Sequence, residues 1–336
     1  MSHLRTKLLL GATVVLVLAG SGVVSFLGYA QAQKPTPSAF RVRPKIQVSE
    51  YADRQQYIRP IPLPPELDAG LVDLGRRLFR DTRLSSTGEV SCASCHDIEN
   101  GGDDGLALSV GVSGEKGTRN SPTVLNSVFN FRQFWDGRAK TLEEQVDGPL
   151  EHPDEMGLTW EQVLEVVQGD PDYVSDFQKA TGEGPTADSV RVAIATFERS
   201  LTTPGSPFDR YLMGDDQAID AQVLRGYEAF VDVGCVSCHQ GVGVGGNMMQ
   251  PLGRMRRYFA DKAPTDGTDE DALYKVPSLR NVVRTAPYLH DGSIKTLPEA
   301  VRLMGKYQLG IELAEEEITD IVAFLGSLDC DLPASE

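Results

Sequence analysis

The sequence predicts a mainly α-helical protein made of two similar halves. The motif Cys-x-x-Cys-His occurs twice, at residues 92–96 and 235–239. In this motif two thiols bond to the vinyl groups of a haem and the histidine ligates its iron. Apolar residues at helical spacing precede each motif and follow each long loop, whereas strand patterns are weak. A helix, the motif, a loop and a closing helix is the plan of a small cytochrome c domain. We therefore predict two tandem cytochrome c-like domains, each around one covalently attached haem c.

The N-terminal residues 1–32 have the pattern of an export segment. Arg5 and Lys7 precede a long apolar run, and the step from Ala30 to Ala32 fits signal-peptidase cleavage. The run is also long enough to cross a bilayer. The segment is therefore either a cleaved signal peptide or a retained membrane anchor. Both interpretations predict a periplasmic protein, and export suits thiols that are consumed by haem attachment.

Charge and composition bound the rest of the chain. The net charge of −16 argues against nucleic-acid binding. An acidic surface either steers a basic redox partner or serves solubility alone. Residues 33–64 are rich in proline and predict a linker or an arm on the surface. We place the two domains at residues 65–204 and 205–336, because a Pro-Gly-Ser-Pro stretch begins at residue 204.

Four amphipathic helices follow from apolar stripes, one before each motif and one closing each half. Both helices before the motifs also share a Gly-x-x-x-Phe pattern, which begins at Gly75 and at Gly226. In chain order the stripes are Leu71, Leu74 and Leu78; Val190, Ile194, Phe197 and Leu201; Val223, Tyr227 and Phe230; and Ile318, Ile321, Val322, Leu325 and Leu328.

The two halves repeat at a constant offset of 155 residues after the motifs. The matched pairs are Pro122 with Pro277, Asp136 with Asp291, Gly137 with Gly292, Thr141 with Thr296, Leu142 with Leu297 and Val146 with Val301. This repeat lets each half serve as a control for the other.

The repeat fails where a second iron ligand is expected. Met304 follows His239 in the second half, and a thioether ligand favours ferrous iron and raises the reduction potential. A haem held by His239 and Met304 is closed to substrates and suits electron transfer. The offset of 155 places Pro149, which has no ligating group, in the first half. The segment around Pro149 offers instead an amide, a histidine and carboxylates, so the haem of His96 is the candidate site for chemistry.

These motifs give the chain a resemblance to the bacterial di-haem cytochrome c peroxidase family over about residues 60–330. Besides the two haem motifs, the resemblance is carried by residues 119–123 (RNSPT), 134–138 (FWDGR), 142–145 (LEEQ), 155–156 (EM), 276–281 (VPSLRN) and 286–292 (APYLHDG). The haem-binding side chains are then Cys92, Cys95, His96, Cys235, Cys238, His239 and Met304.

The resemblance implies reduction of hydrogen peroxide at the N-terminal haem. Gln145 and Glu155 would be the distal amide and acid, and Trp135 would lie between the haems. Peroxide must lose a proton from one oxygen and gain one on the other, and a carboxylate that reaches both can move it. The two electrons needed can come one from each haem. Without the resemblance, Glu155 would be interpreted as an ordinary surface carboxylate, and Trp135 as an aromatic residue of the core.

The resemblance also implies partners for the site. Electrons would come from a small c-type cytochrome or a cupredoxin at the C-terminal haem. A calcium ion would bind the side chain of Asn120 and the carbonyls of Thr285 and Pro287. Family members are often homodimers, and the sequence leaves that state open.

One position departs from the family. Many members carry a distal histidine in the loop after the first motif, where this chain has Val112. We therefore expect the first haem to be open in the oxidised protein. His152 is the remaining candidate ligand because it is close in sequence to Glu155.

Two other functions stay open at this point. A related di-haem enzyme without the distal histidine oxidises residues of another protein to mature a quinone cofactor, although Met304 argues against that type. A non-catalytic di-haem electron carrier is the second alternative, and Gln145, Glu155 and the missing first methionine argue against it.

Overall fold

The computed structural model describes residues 53–63, 66–258 and 272–332. The predicted export segment, residues 1–32, lies outside the described residues. Helices dominate the described part, and its named strands form a single two-stranded sheet. The prediction of a mainly α-helical fold is confirmed.

Within the described ranges, six α-helices belong to the first half and four to the second. In chain order they are α1 (Ala69–Arg80), α2 (Cys92–Cys95), α3 (Leu142–Glu151), α4 (Trp160–Gly169), α5 (Pro171–Thr181), α6 (Ala187–Ser200), α7 (Pro207–Leu212), α8 (Ala221–Asp232), α9 (Leu297–Leu303) and α10 (Glu315–Gly326). Strands β1 (Met249–Pro251) and β2 (Leu273–Lys275) pair antiparallel. No helix within the described ranges has the length and apolar character needed to cross a membrane.

One helix crossing organises each half, and a glycine makes each crossing close. A Cβ atom at Gly75 would lie 2.0 Å from the carbonyl oxygen of Ala193, where α1 meets α6. A Cβ atom at Gly226 would lie 1.9 Å from the carbonyl oxygen of Asp320, where α8 meets α10. Side-chain atoms are excluded at both contacts, which explains the shared Gly-x-x-x-Phe pattern. The two apolar cores form around these crossings.

The repeat of 155 residues is also present in the backbone. Asn126 and Asn281 have φ angles of 60° and 58°, and Phe134 and Leu289 have φ angles of 67° and 73°. The side-chain amide of Asn126 donates to the side-chain oxygen of Asn281 at 3.3 Å, so equivalent residues of the two halves meet. Thr203 also donates to Asn281 at 2.8 Å. The domain division between residues 204 and 205 stays a prediction.

The arm before the first half packs into the second half. Ile58 is fully buried in the second core and forms a parallel bridge with Gly241. The carbonyl of Arg59 accepts a hydrogen bond from the Arg280 guanidinium at 2.8 Å. The described part of this arm therefore contributes Ile58 to the second core, while its residues Asp53, Gln56 and Arg59 are exposed.

Candidate functional site

The first haem motif lies on the short helix α2. Its start is fixed by a capping box, in which the Ser91 N–H donates to the Ser94 hydroxyl at 3.0 Å. His96 follows directly, and its Nδ1 lies 3.2 Å from the Gly102 carbonyl oxygen. This contact favours a proton on Nδ1, which leaves Nε2 as the atom available for iron.

The second motif repeats this arrangement. The Nδ1 atom of His239 lies 3.2 Å from the Val244 carbonyl oxygen, so the same tautomer is favoured. Burial lowers the pKa of His239 to about 4, and it lowers the pKa of His96 as well. Both imidazoles are therefore neutral near pH 7, as a metal ligand must be. Phe79 and Phe230 pack with ring centroids 6.5 and 6.4 Å from the two histidine rings.

A large cavity surrounds the second motif. It contains ≈ 1610 Å³ of space not filled by protein atoms, part of it open to solvent. Cys235, Cys238, His239 and Met304 all line it. Met304 caps the C-terminal end of α9 and begins a one-turn π-helix, Met304–Leu309, a local geometry that is frequent at functional sites. Two thiols, an imidazole and a thioether around one mainly apolar space fit a haem c with a methionine ligand.

The equivalent place in the first half has no such ligand. Pro149 lies inside α3, and its carbonyl accepts the Met156 N–H at 3.1 Å. Gln145 is half-buried on the same helix, one turn earlier. His152 caps the end of α3, is exposed, and accepts the Asp154 N–H on Nδ1 at 3.2 Å.

Glu155 lies in a turn that is held from both sides. The Val112 N–H donates to the Glu155 carbonyl at 3.0 Å, and the Ser86 N–H donates to the Met156 carbonyl at 2.8 Å. A Cβ atom at Gly111 would lie 2.0 Å from the Asp154 carbonyl oxygen. The backbone of the loop that carries Val112 therefore rests directly on the turn that carries Glu155.

The Glu155 side chain is exposed and is close to the first haem motif. The pKa of the Cys95 thiol is raised to about 11, chiefly by burial and then by the charge of Asp104. The Glu155 carboxylate contributes to the same increase. Its charge thus acts on the cysteine that attaches the first haem.

Trp135 connects the two halves. Its indole N–H donates to the Asn120 carbonyl at 2.8 Å, and its ring lies edge-on to His290, with centroids 6.4 Å apart. Trp135 also lines the cavity of the second motif. Two residues after Asn120, Pro122 presents its carbonyl to the His96 ring. The side chain therefore contacts both the cavity of the second motif and the segment that reaches His96.

The three residues implied for calcium share the same cavity. Asn120, Thr285 and Pro287 all line it. The Asn120 amide group donates to the Leu106 carbonyl at 2.9 Å, which leaves its side-chain oxygen as the candidate ligand. No cluster of three or more His, Cys, Asp or Glu suited to a metal occurs among the described residues. A calcium ion here would rest on neutral oxygen atoms, which calcium accepts.

Several buried ionisable groups are not marked by the sequence patterns, among them Lys275 and Glu198. Lys275 on β2 is 6% exposed, and Glu198 on α6 is 5% exposed with a pKa raised to about 8 by burial. Lys275 follows Tyr274 in a short apolar strand, so a lysine in an apolar run was the available signal. Glu198 lies directly after Phe197 on the apolar face of α6, and only the packing shows that it is buried.

Two Cys-x-x-Cys-His motifs, each with a buried-ring histidine whose Nδ1 faces a backbone carbonyl, are the signature of a di-haem c-type cytochrome. Two family models match it: "Di-haem cytochrome c peroxidase" over residues 69–217 and "Cytochrome c" over residues 223–329. The chain belongs to the di-haem cytochrome c peroxidase family, and it is an enzyme with haem c as its cofactor.

Similar proteins support this placement. A cytochrome c551 peroxidase of Nitrosomonas europaea is 44% identical over 82% of this chain and 85% of its own length. A cytochrome c peroxidase of Escherichia coli is 44% identical over 82% of this chain, which spans 62% of that protein. A solved MauG-like protein associated with microbial copper homeostasis is 29% identical, with a TM-score of 0.71 over 82% of this chain and 94% of its own. The two peroxidases thus have a higher sequence identity to this chain than the MauG-like protein has.

Proposed function

We propose that the chain reduces hydrogen peroxide to water at its first haem and takes up electrons at its second. The observation that carries this proposal is the asymmetry between the halves. Met304 shares a cavity with His239, whereas Pro149 stands at the equivalent place in the first half. The bound haem supplies the redox chemistry at each site.

The residues of the first half have distinct roles in this proposal. Glu155 accepts the proton from the peroxide oxygen that approaches the first haem and returns it to the departing oxygen, which leaves as water. The side-chain amide of Gln145 donates a hydrogen bond to the peroxide, and it stays neutral throughout. The backbone contacts of Val112 and Ser86 hold the turn of Glu155 in place before peroxide arrives.

The second half handles electrons and partners. Met304 and His239 would hold the second haem as its two iron ligands, which would close that site to peroxide. Trp135 relays electrons, because it lies between the cavity of His239 and the Asn120 to Pro122 segment that leads to His96. Calcium at Asn120, Thr285 and Pro287 ties the halves together.

The surroundings of the enzyme follow from the same proposal. Its donor is a small c-type cytochrome or a cupredoxin, and the acidic chain favours a donor with a basic surface. The site of action is the periplasm, reached through the segment at residues 1–32, which is cleaved or kept as an anchor. A homodimer would be its assembled state.

A steady-state assay tests the role of Glu155. With reduced cytochrome c as donor, Glu155→Gln should lower the rate of peroxide reduction by about 10²–10⁴-fold, the usual contribution of a general acid–base. Glu151→Gln removes the same charge from an exposed position at the end of α3 and should retain wild-type activity. Full activity in Glu155→Gln would contradict the assignment.

Rapid mixing of the reduced protein with peroxide separates the alternative functions. A peroxidase reacts fast and returns to the oxidised state with its electron donor alone. An enzyme that modifies another protein would hold its oxidising equivalents until that protein arrived. An electron carrier would react slowly.

A further inference from the structure

Lys275 is a buried lysine that has no counter-charge among the residues that the structure describes. Its side chain is 6% exposed, and no hydrogen bond or ion pair reaches its ammonium group from the residues that the structure describes. Burial alone lowers its pKa to about 8, since no nearby carboxylate opposes the shift. An unpaired ammonium group is costly to bury, so such a group calls for a partner.

The backbone holds Lys275 firmly in this position. On β2 it pairs with Met249 of β1, and its N–H donates to the Trp135 carbonyl at 2.7 Å. The strand therefore anchors this residue to both halves. A fixed backbone limits the ways in which the side chain can swing out to solvent.

Among the described residues, the cavity around Lys275 has no acidic side chain in its lining. Lys275 lines the same space as Cys235, Cys238 and His239. No aspartate or glutamate is among the described residues that line it, and Lys275 is the one lysine or arginine there. The described lining of the cavity thus carries a cation and no anion. A haem in this cavity brings two propionate carboxylates.

We propose that the Lys275 ammonium group binds a propionate of the second haem through a charge-assisted hydrogen bond. The inference rests on the proposed role of this haem in electron entry. An ammonium group close to the haem stabilises the reduced iron relative to the oxidised iron, because reduction removes one positive charge. Lys275 therefore helps Met304 keep the potential of the second haem high.

The test is the reduction potential of each haem in the holoenzyme. Lys275→Gln should favour the oxidised second haem by about tenfold, which for one electron is a potential lower by about 59 mV. The potential of the first haem should change far less. Lys275→Arg keeps the charge and should retain the wild-type potential. Lys275→Met, an apolar replacement of similar length, serves if Lys275→Gln does not fold.

Lys295→Gln is the matched control, since it removes one exposed positive charge from the same half. Equal shifts in Lys295→Gln and Lys275→Gln, or no shift in either, would overturn the proposal. Resonance Raman spectra of the wild type test the hydrogen bond to the propionate without a variant. The propionate bending mode of the second haem should shift in D₂O, and a mode that is insensitive to D₂O would also overturn the proposal.

Failure of this inference can be told apart from failure of the proposed function. A lowered potential in Lys275→Gln, with no peroxide turnover in the wild type, would uphold the role of Lys275 and reject the peroxidase. Peroxide turnover in the wild type with an unchanged potential in Lys275→Gln would support the peroxidase function and reject the role of Lys275.

Discussion

Position 112 is a valine, and we expect this residue to determine whether peroxide can reach the iron of the first haem. Many family members have a histidine here that can close the iron, and a valine side chain has no ligating atom. The Val112 side chain packs toward the turn of residues 153–157, with its Cγ2 3.4 Å from where a Cβ of Gly157 would lie. The absence of the histidine thus leaves the backbone contact of the loop with Glu155 intact.

The first haem should therefore be high-spin in the fully oxidised protein. Electron paramagnetic resonance of the oxidised enzyme reports this directly, and peroxide should react without prior reduction of the second haem. Val112→His should convert the signal to low-spin and make peroxide binding depend on reduction. Val110→His, at an exposed position on the same loop, should not. A low-spin first haem in the wild type would contradict the expectation.

The loop of residues 109–117 supports the turn that carries Glu155, the proposed general acid–base. It closes on itself through the Gly117 N–H, which donates to the Ser109 carbonyl at 2.9 Å. It then contacts the turn of Glu155 through Gly111, where no side chain fits. The loop thus acts as a rigid support for Glu155.

Gly111→Ala should displace that turn and slow peroxide reduction. A methyl group 2.0 Å from the Asp154 carbonyl forces a shift, and misplacement of a reacting group by ~1 Å can cost about 10²-fold in rate. Gly117→Ala is the control in the same loop, because its nearest neighbour would lie 3.6 Å away. Steady-state rates and both haem spectra should be compared. Equal rates in the two variants would argue against a positioning role for Gly111.

The sequence predicted the elements that recur in both halves. The haem motifs, the shared Gly-x-x-x-Phe pattern and the proximity of Met304 to His239 all follow from local patterns or from the repeat, whereas the role of Gly75 and Gly226 in the helix crossings is visible only in the structure. The loop of Val112 and the turn of Glu155 are far apart in sequence, and no periodic pattern marks their backbone contact. The burial of Lys275 could not be predicted from the sequence for a similar reason, since it depends on elements from both halves.

Across the whole molecule, a buried ion pair joins segments that are distant in the chain. The Arg280 guanidinium lies 2.7 Å from the Asp209 carboxylate, and both side chains are fully buried. The same guanidinium donates to the carbonyls of Val242 and Arg59 at 2.9 and 2.8 Å. One side chain therefore connects the arm, the helix α7 and the loop after the second haem motif.

Asp209→Asn should destabilise the protein by about 3–5 kcal/mol, because it leaves a buried arginine without its counter-charge. Glu315→Gln breaks the exposed pair with Arg302 and should cost at most ~1 kcal/mol. Urea unfolding of the holoenzyme followed by circular dichroism measures both. Similar losses in the two variants would show that burial does not set the strength of the Asp209 pair.

The burial of Ile58 in the second core has a consequence for the order of folding. During synthesis the arm emerges before either haem motif, yet its partner Gly241 follows the second motif. The arm must therefore wait, unpaired, until nearly the whole chain has been made. Its docking would then be a late step, and a newly made chain with an undocked arm would expose an incomplete second core.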